Sequence, residues 1–152
     1  MTASSALPDP ARNPAIYRGV VLKRALAWVF DMVLIVILCV LILPFTAFLG
    51  VFFFPVLMLV IGFIYRWFTI AAGSATWGMQ IVGITLRDHR ARRLSSETAL
   101  LHTLGYTVSV AVAPLQLISV LMMVFSSRKQ GLTDHLLGTA AINQAAQQPA
   151  IV

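Results

Sequence analysis

One apolar run constrains this chain more than any other feature. Residues 25–43 are apolar except for a single carboxylic acid, Asp31, and two cations, Lys23 and Arg24, stand directly before the run. At about 1.5 Å of rise per residue, a helix of this length crosses a hydrocarbon core roughly 30 Å thick. An acidic side chain inside such a helix costs about 2.5 to 3.5 kcal/mol on insertion scales, so it is usually kept for pairing or for function. We therefore expect Asp31 to face protein or water.

The composition is that of an integral membrane protein. Of the 152 residues, 59% are hydrophobic and only 11% are charged, whereas soluble domains carry about twice that share of charge. The net charge of +6 comes largely from basic residues beside apolar segments, where they set helix orientation and contact anionic lipids. We expect the lipid bilayer and anionic lipid head groups as partners, and no nucleic acid.

A second apolar segment, residues 48–72, predicts a second membrane helix, with Pro55 in its first turns, where proline is tolerated. The connection between the two helices is short and carries no cation, which predicts an antiparallel hairpin with its turn on the outer face. Basic residues flank the other two ends of the hairpin: Arg12, Arg18, Lys23 and Arg24 before it, and Arg87, Arg90, Arg92 and Arg93 after it. The positive-inside rule therefore places the N-terminus in the cytoplasm.

The remainder of the chain predicts a short strand at residues 81–87 and a third helical region at residues 99–125, with serines before it as N-caps. Pro114 stands near the middle of that region. If the region crosses the membrane once, Arg128 and Lys129 lie outside, against the charge rule. If it breaks at Pro114, each arm is too short to cross and the tail stays inside. We expect the broken, re-entrant or interfacial form, with a single crossing as the alternative.

These segments define the expected fold and its divisions. The fold class is an all-α membrane protein: a transmembrane helical hairpin, a third, Pro-broken helical segment, and short cytoplasmic strand-like segments. Residues 1–20 are expected to form a flexible cytoplasmic arm, residues 21–142 the membrane domain, and residues 143–152 a disordered tail. A cleaved signal peptide is not expected, because the apolar region is too long for one.

Helix depths predict a partner for Asp31. From the helix ends, Asp31 lies about 9 Å deep and Arg66, on the antiparallel neighbour, about 6 Å deep, so we expect an Asp31–Arg66 ion pair. In the alternative, Arg66 extends to the interface and Asp31 meets water and hydroxyls such as Thr76 or Ser74. Arg24 is seven residues from Asp31, about 10.5 Å along a helix, so no direct bridge between them is expected.

Two roles for Asp31 remain open at this stage. It could bind a cation or a proton during transport, or it could hold two helices in register through a buried polar contact. A permanent arginine partner would oppose the pKa near 7 that proton transfer requires.

No pattern in the sequence indicates catalysis. His89, His102 and His135 lack metal-ligand spacing and are expected to be interfacial side chains. No nucleophile elbow, phosphate loop or pair of carboxylates on one helix face occurs. We expect no enzyme activity, no metal and no cofactor.

Three motifs follow one another in the order seen in one family of membrane proteins. The first is RALAWVFD, with Arg24, Ala27 and Asp31. The second is GSATWGMQIVG, with Gly73, Thr76, Gly78 and Gly83. The third is RKQGLTDHLLGT, with Arg128, Gly131, Asp134, Gly138 and Thr139. With the hydropathy between them, these motifs make residues 21–142 resemble the RDD family of small bacterial membrane proteins, named for an arginine and two aspartates.

The resemblance implies a multi-pass protein of the bacterial cytoplasmic membrane and suggests transport of an unidentified ligand, with cation and proton exchange reported for some members. The chain departs from the family pattern at Met79 and Gln80, where basic residues are usual, and at Thr133, where a histidine is usual. Any role that depends on those groups is not carried over.

Two functional hypotheses follow. In the first, the chain is a homo-oligomeric transporter of a small ligand or cation, because so few helices enclose too little volume for a path through a monomer. Its candidate ligand-binding or structural polar network consists of Arg24, Asp31, Arg66, Thr76 and Asp134. We expect Asp31 to face a polar cavity near the cytoplasmic side, with Arg24, Arg66 and Asp134 arranged around it. In the second, the chain is a non-transporting membrane adaptor or scaffold that binds a protein partner through cytoplasmic residues 73–93 and 128–142.

Overall fold

Two long apolar helices dominate the computed structural model, which describes residues 5–147. Helix α1 (Pro14–Tyr17) is a single turn, and α2 (Val20–Ile42) and α3 (Phe54–Gly73) are both long and apolar enough to cross a membrane. Their outward faces expose large side chains such as Val33, Val40 and Phe68. Such faces are stable only against lipid or another protein. The expectation of an all-α membrane protein built on a helical hairpin is confirmed.

The hairpin turn is longer than the sequence predicted. Two short 3₁₀ turns, Leu43–Thr46 and Leu49–Val51, separate α2 from α3. Ala47 and Phe48 between them have left-handed φ angles of 48° and 61°, which no α-helix accommodates. The second membrane helix therefore begins at Phe54 and not at Phe48, with Pro55 in its first turn as expected.

Small residues allow α2 and α3 to pack closely. Ile35, Cys39 and Tyr65 form a buried cluster in the seam between them. A Cβ added at Gly62 of α3 would lie 3.4 Å from the Cδ1 atom of Ile35. The glycine therefore lets α3 approach the side chains of α2.

A short helix and two strands follow at the end of the hairpin where α3 ends. Helix α4 (Trp77–Ile81) leads through Gly83, with φ of 73°, into strand β1 (Ile84–Arg87). The predicted strand was correct in position but started too early, because Ile81 still belongs to α4. Strand β1 pairs antiparallel with β2 (Ala140–Asn143), with Ile84 opposite Asn143.

The N-terminal segment is packed rather than free in the part that the structure describes. Leu7, Ile16 and Tyr17 are buried against Ala140 and Ile142 of β2. The expected flexible arm at residues 1–20 is therefore not found over residues 5–20, because scattered apolar side chains cover the small residues of the strand. Residues 1–4 lie outside the described part.

The expected tail also begins in ordered structure. Asn143 belongs to β2, and Ala145–Gln147 form a 3₁₀ turn. The side-chain amide of Asn143 donates to the carbonyl oxygens of Ala15 and Arg18, at 2.9 Å each. The rest of the expected disordered tail, residues 148–152, lies outside the described residues.

The third helical region is broken into a V. Helices α5 (Ser96–Ala111) and α6 (Ala113–Phe125) meet at Val112 with a bend of 117°. Ser95 caps α5 by accepting from the Thr98 N–H, and Pro114 lies in the first turn of α6. The Ser109 hydroxyl donates to Gln116 Oε1 at 2.9 Å across the break. This geometry matches the expected broken form.

Helix α7 (Leu132–Leu137) packs against both arms of the V and leads into β2. Asp134 lies in the first turn of this helix, and its carboxylate caps the helix by accepting from the Gly131 N–H. We call the end of the molecule that carries α1, α4, α7 and both strands the polar end.

This topology predicts which surface sites share one side of the membrane. Single cysteines introduced at Arg12 and Ala145, at the polar end, should react with an impermeant thiol reagent from the same side of sealed vesicles. A cysteine at Phe52, in the hairpin turn, should react only from the opposite side. Wild-type protein is the control, because its single cysteine, Cys39, is fully buried. Reaction at positions 52 and 145 from the same side would mean that the α5 and α6 pair crosses the membrane as one span.

Candidate functional site

The Asp31 carboxylate is the acceptor for a set of donors from α3 and α4. Oδ1 accepts from the Tyr65 hydroxyl at 2.7 Å and from the Gly78 N–H at 2.9 Å. Oδ2 accepts from the Thr76 hydroxyl at 2.7 Å and from Arg66 Nη1 at 3.2 Å. Asp31 is 1% exposed. The predicted Asp31–Arg66 pair is thus confirmed, and Thr76, named in the alternative, contacts the same oxygen.

The segment after α3 is shaped to reach this carboxylate. Thr76 caps α4, because its hydroxyl accepts from the Met79 N–H at 3.2 Å while donating to Asp31. The Trp77 N–H donates to the Tyr65 hydroxyl at 3.1 Å. A Cβ at Gly78 would clash with the Ala27 carbonyl oxygen and lie 2.7 Å from Asp31 Oδ1. Glycine at this position lets the backbone donate directly to the carboxylate.

The Arg66 guanidinium contacts two side chains and has one nitrogen without a partner among the described residues. Its Nη1 bonds to Asp31, and its guanidinium carbon lies 4.4 Å from the centre of the Tyr106 ring, a cation–π contact. Its Nη2 is buried and has no hydrogen-bond partner among the described residues. Because such an atom costs free energy when it is left unpaired, Arg66 has unused capacity to donate.

Asp134 forms a second centre at the polar end. Its Oδ2 accepts from Arg24 Nη1 at 2.6 Å and from the Gly131 N–H at 3.1 Å. Its Oδ1 accepts from the Thr139 hydroxyl at 2.8 Å and lies 3.0 Å from His102 Nε2. This carboxylate therefore ties α7 to α2 and to α5.

The pKa of Asp134 lies well below its usual range. Burial, the largest effect, acts to raise this pKa, but Arg24, His102 and the Gly131 N–H together lower it by more. Asp134 therefore remains ionised and can only accept hydrogen bonds, so His102 Nε2 must be the donor in their contact.

A cavity of about 500 Å³ joins the two centres. It lies between α2 on one side and the V of α5 and α6 on the other, and Arg24, Asp31, Arg66 and Asp134 all line it. Polar side chains of the V complete its wall: His102, Thr103, Tyr106, Ser109, Gln116 and Ser119. Most of the cavity wall is apolar, and the few polar groups on it could orient a ligand bound between the helices.

The cavity has more unused hydrogen-bond donors than unused carboxylate acceptors. Each oxygen of Asp31 and of Asp134 already has two partners. Arg24 and Arg66 each use one nitrogen on these carboxylates and have other N–H groups to offer. Thr103 Oγ1 and His102 Nδ1 are buried without partners in the described part of the chain. The spare capacity is therefore mainly that of donors.

All the sequence-predicted site residues border or support this cavity, but they form two centres rather than one ring around Asp31. Asp31, Arg66 and Thr76 meet at the deep centre, while Arg24 and Asp134 pair at the polar end. As expected, no bridge joins Arg24 to Asp31. Among residues 5–147, no group of histidine, cysteine and acidic side chains is arranged to hold a metal ion.

The sequence analysis missed several contributors. His102 was expected at the interface, but it is 5% exposed and contacts Asp134. Ala99, His102 and Thr103 lie on one face of α5 and are all buried, but their spacing in the sequence does not show that this face is covered. Tyr65 and Tyr106 gave no signal either, since tyrosine is common at the ends of membrane helices. His89 and His135 are exposed.

The second centre gives a pH prediction. Asp134→Asn should lower the free energy of unfolding by about 3 to 5 kcal/mol at neutral pH, because Arg24 loses its charged partner. The pKa of Asp134 in the folded protein is below its unfolded value of about 3.9. The stabilisation is therefore complete above that value and is lost as the pH falls through the folded-state pKa.

Thermal unfolding in detergent, with wild type and variant measured side by side across a pH series, tests this. The difference in stability between wild type and Asp134→Asn should persist down to about pH 5 and become smaller only in more acidic solution. A difference that vanishes near neutral pH would contradict an ionised Asp134.

Comparison with known proteins gives one match. The family model described as RDD family matches residues 18–138, a stretch that contains both carboxylate centres and the cavity between them. No curated protein and no solved structure matches the chain. The matched stretch covers most of the chain. It includes the first two motifs and the third as far as Gly138. The chain belongs to the RDD family.

Proposed function

We propose that this chain is a transporter-type membrane protein that binds a small ligand in the cavity between α2 and the V of α5 and α6. The observation that carries the proposal is the cavity itself, which has a volume of about 500 Å³, is mostly apolar and is lined by both ion pairs. Buried polar groups inside a bilayer are costly and are usually kept where a ligand or ion passes.

In this proposal Asp31 positions other groups and does not bind the ligand itself. Its two oxygens are occupied by Tyr65, Arg66, Thr76 and Gly78, so a cation could bind there only by displacing donors. The carboxylate fixes the guanidinium of Arg66 at the cavity wall. Of the two roles left open by the sequence, the geometry favours the buried polar contact for Asp31.

We place the protein in the bacterial cytoplasmic membrane with its polar end in the cytoplasm. The exposed basic residues at that end support this orientation, since cations are retained on the cytoplasmic side and contact anionic head groups. They include Arg12, Arg18, Arg90 and Arg93. We also propose that the chain works as a homo-oligomer, because a hairpin and one V of helices leave large apolar faces uncovered. Examples are Val33 and Val40 on α2 and Phe68 on α3.

Cysteine accessibility tests the proposal without knowledge of the ligand. Met122 and Met123 are adjacent on α6 and both half-buried, but only Met123 lines the cavity. In sealed proteoliposomes of known orientation, the cysteine of Met123→Cys should react with a polar, impermeant thiol reagent from the polar end. It should also react, more slowly, from the other side, because a transporter exposes its binding site to both sides in turn.

Met122→Cys is the matched control and should react much more slowly from either side, since its side chain faces away from the cavity. Strictly one-sided reaction of Met123→Cys would contradict transport and would leave the adaptor role as the better account. Absence of any reaction at Met123→Cys would contradict a solvent-accessible cavity.

A further inference from the structure

We propose that the ligand is an amphiphile with an anionic head group, which enters the cavity sideways from the bilayer between α2 and α6. This inference rests on the proposed use of the cavity as a ligand site. It adds the chemical class of the ligand and the route by which it enters.

The charge of the head group follows from the unequal hydrogen-bond capacity of the cavity. Both carboxylates have two partners on each oxygen, so they offer little to a cation or to a donor. Arg66 is 6% exposed, and its Nη2 has no partner among the described residues. An anionic acceptor would satisfy the buried guanidinium, and a charge-assisted bond of this kind is stronger than a neutral one.

Two neighbouring groups on α5 refine the head group. The Thr103 hydroxyl is buried without a partner in the described residues and can donate to the same anion. His102 donates from Nε2 to Asp134. With the ring hydrogen on Nε2, its Nδ1, which has no partner among the described residues, can accept. A hydroxyl beside the anionic group would suit that nitrogen. A glycerol phosphate head group combines both features.

The entrance to the cavity is apolar and faces the bilayer. Helix α2 packs broadly against α3 and α4 and far less against α6. Trp28, Val29 and Val120 line the cavity on these two helices and are each between 41% and 51% exposed. A water-soluble ligand would gain nothing from such walls, whereas the acyl chains of an amphiphile could remain in the bilayer while its head group enters.

Beside this entrance, a hydrogen bond joins α2 to α5. Trp28 Nε1 donates to the Tyr106 hydroxyl at 2.8 Å, and the face of the same Tyr106 ring covers Arg66. Tyr106 therefore both links α5 to α2 and contacts Arg66, the proposed anion-binding group.

Lipid binding to the purified full-length protein tests this inference. Native mass spectrometry in mild detergent would compare dioleoyl phosphatidylglycerol with dioleoyl phosphatidylcholine, which has the same chains but no net charge. Phosphatidylglycerol should bind at least about tenfold more tightly. Glycerol 3-phosphate, which carries an anionic group but no chains, should compete poorly.

Two tryptophan variants localise the binding. Val120→Trp places a large side chain in the entrance and should weaken phosphatidylglycerol binding at least about tenfold. Leu121→Trp is the matched control, because Leu121 is exposed on the same helix and does not line the cavity. It should bind as the wild type does, which also controls for lipids held by basic surface residues.

Equal binding of the two lipids would overturn the inference, and so would phosphatidylglycerol binding that Val120→Trp leaves unchanged. Effective competition by glycerol 3-phosphate would overturn the bilayer as the source of the ligand. These results are separable from the test of transport. Two-sided reactivity of Met123→Cys without a lipid preference would mean that the cavity serves another ligand. One-sided reactivity with the preference would mean that the protein holds a lipid without transporting it.

Discussion

A carboxylate that must be satisfied away from water organises this molecule. Asp31 lies within a membrane helix and is 1% exposed, so every hydrogen bond that water would have made to it has to come from protein. Tyr65 and Arg66 provide two of those bonds from α3, and Thr76 and Gly78 provide two from the start of α4. These bonds fix α3 against α2. Because two of them come from the start of α4, the chain turns back over α2 directly after α3, and β1 then lies at the polar end.

A second carboxylate links the C-terminal part of the chain to the same helix. Arg24 lies two helical turns before Asp31 on α2, and it binds Asp134 of α7. Because α7 packs on both arms of the α5 and α6 pair, this ion pair holds the V beside α2 together with the Trp28–Tyr106 hydrogen bond. The cavity is the space left between two attachments on one helix. Each of its two arginines bonds to a carboxylate through one nitrogen only. The remaining N–H groups give the cavity its excess of hydrogen-bond donors.

The membrane helices, the break near Pro114 and the Asp31–Arg66 pair could be predicted from the sequence. Apolar length, proline and helix depth are local properties of the chain. The packing of Leu7 against β2 and the burial of His102 could not be predicted in this way. Both depend on partners more than 30 residues away, and no local pattern reports such contacts. A cavity lined by Arg24, Asp31, Arg66 and Asp134 was predicted, but its division into two centres was not, because the centres come together only once α5 and α6 have folded back.

The most direct test of this account is the coupling between Asp31 and Arg66, measured as the free energy of unfolding in mixed micelles for wild type, Asp31→Asn, Arg66→Gln and the double variant. Each single change should cost about 3 to 5 kcal/mol, because it leaves a buried charged or polar partner unsatisfied. The double variant should cost clearly less than the sum of the two. Additive costs would contradict the claim that Asp31 acts by holding Arg66 in place.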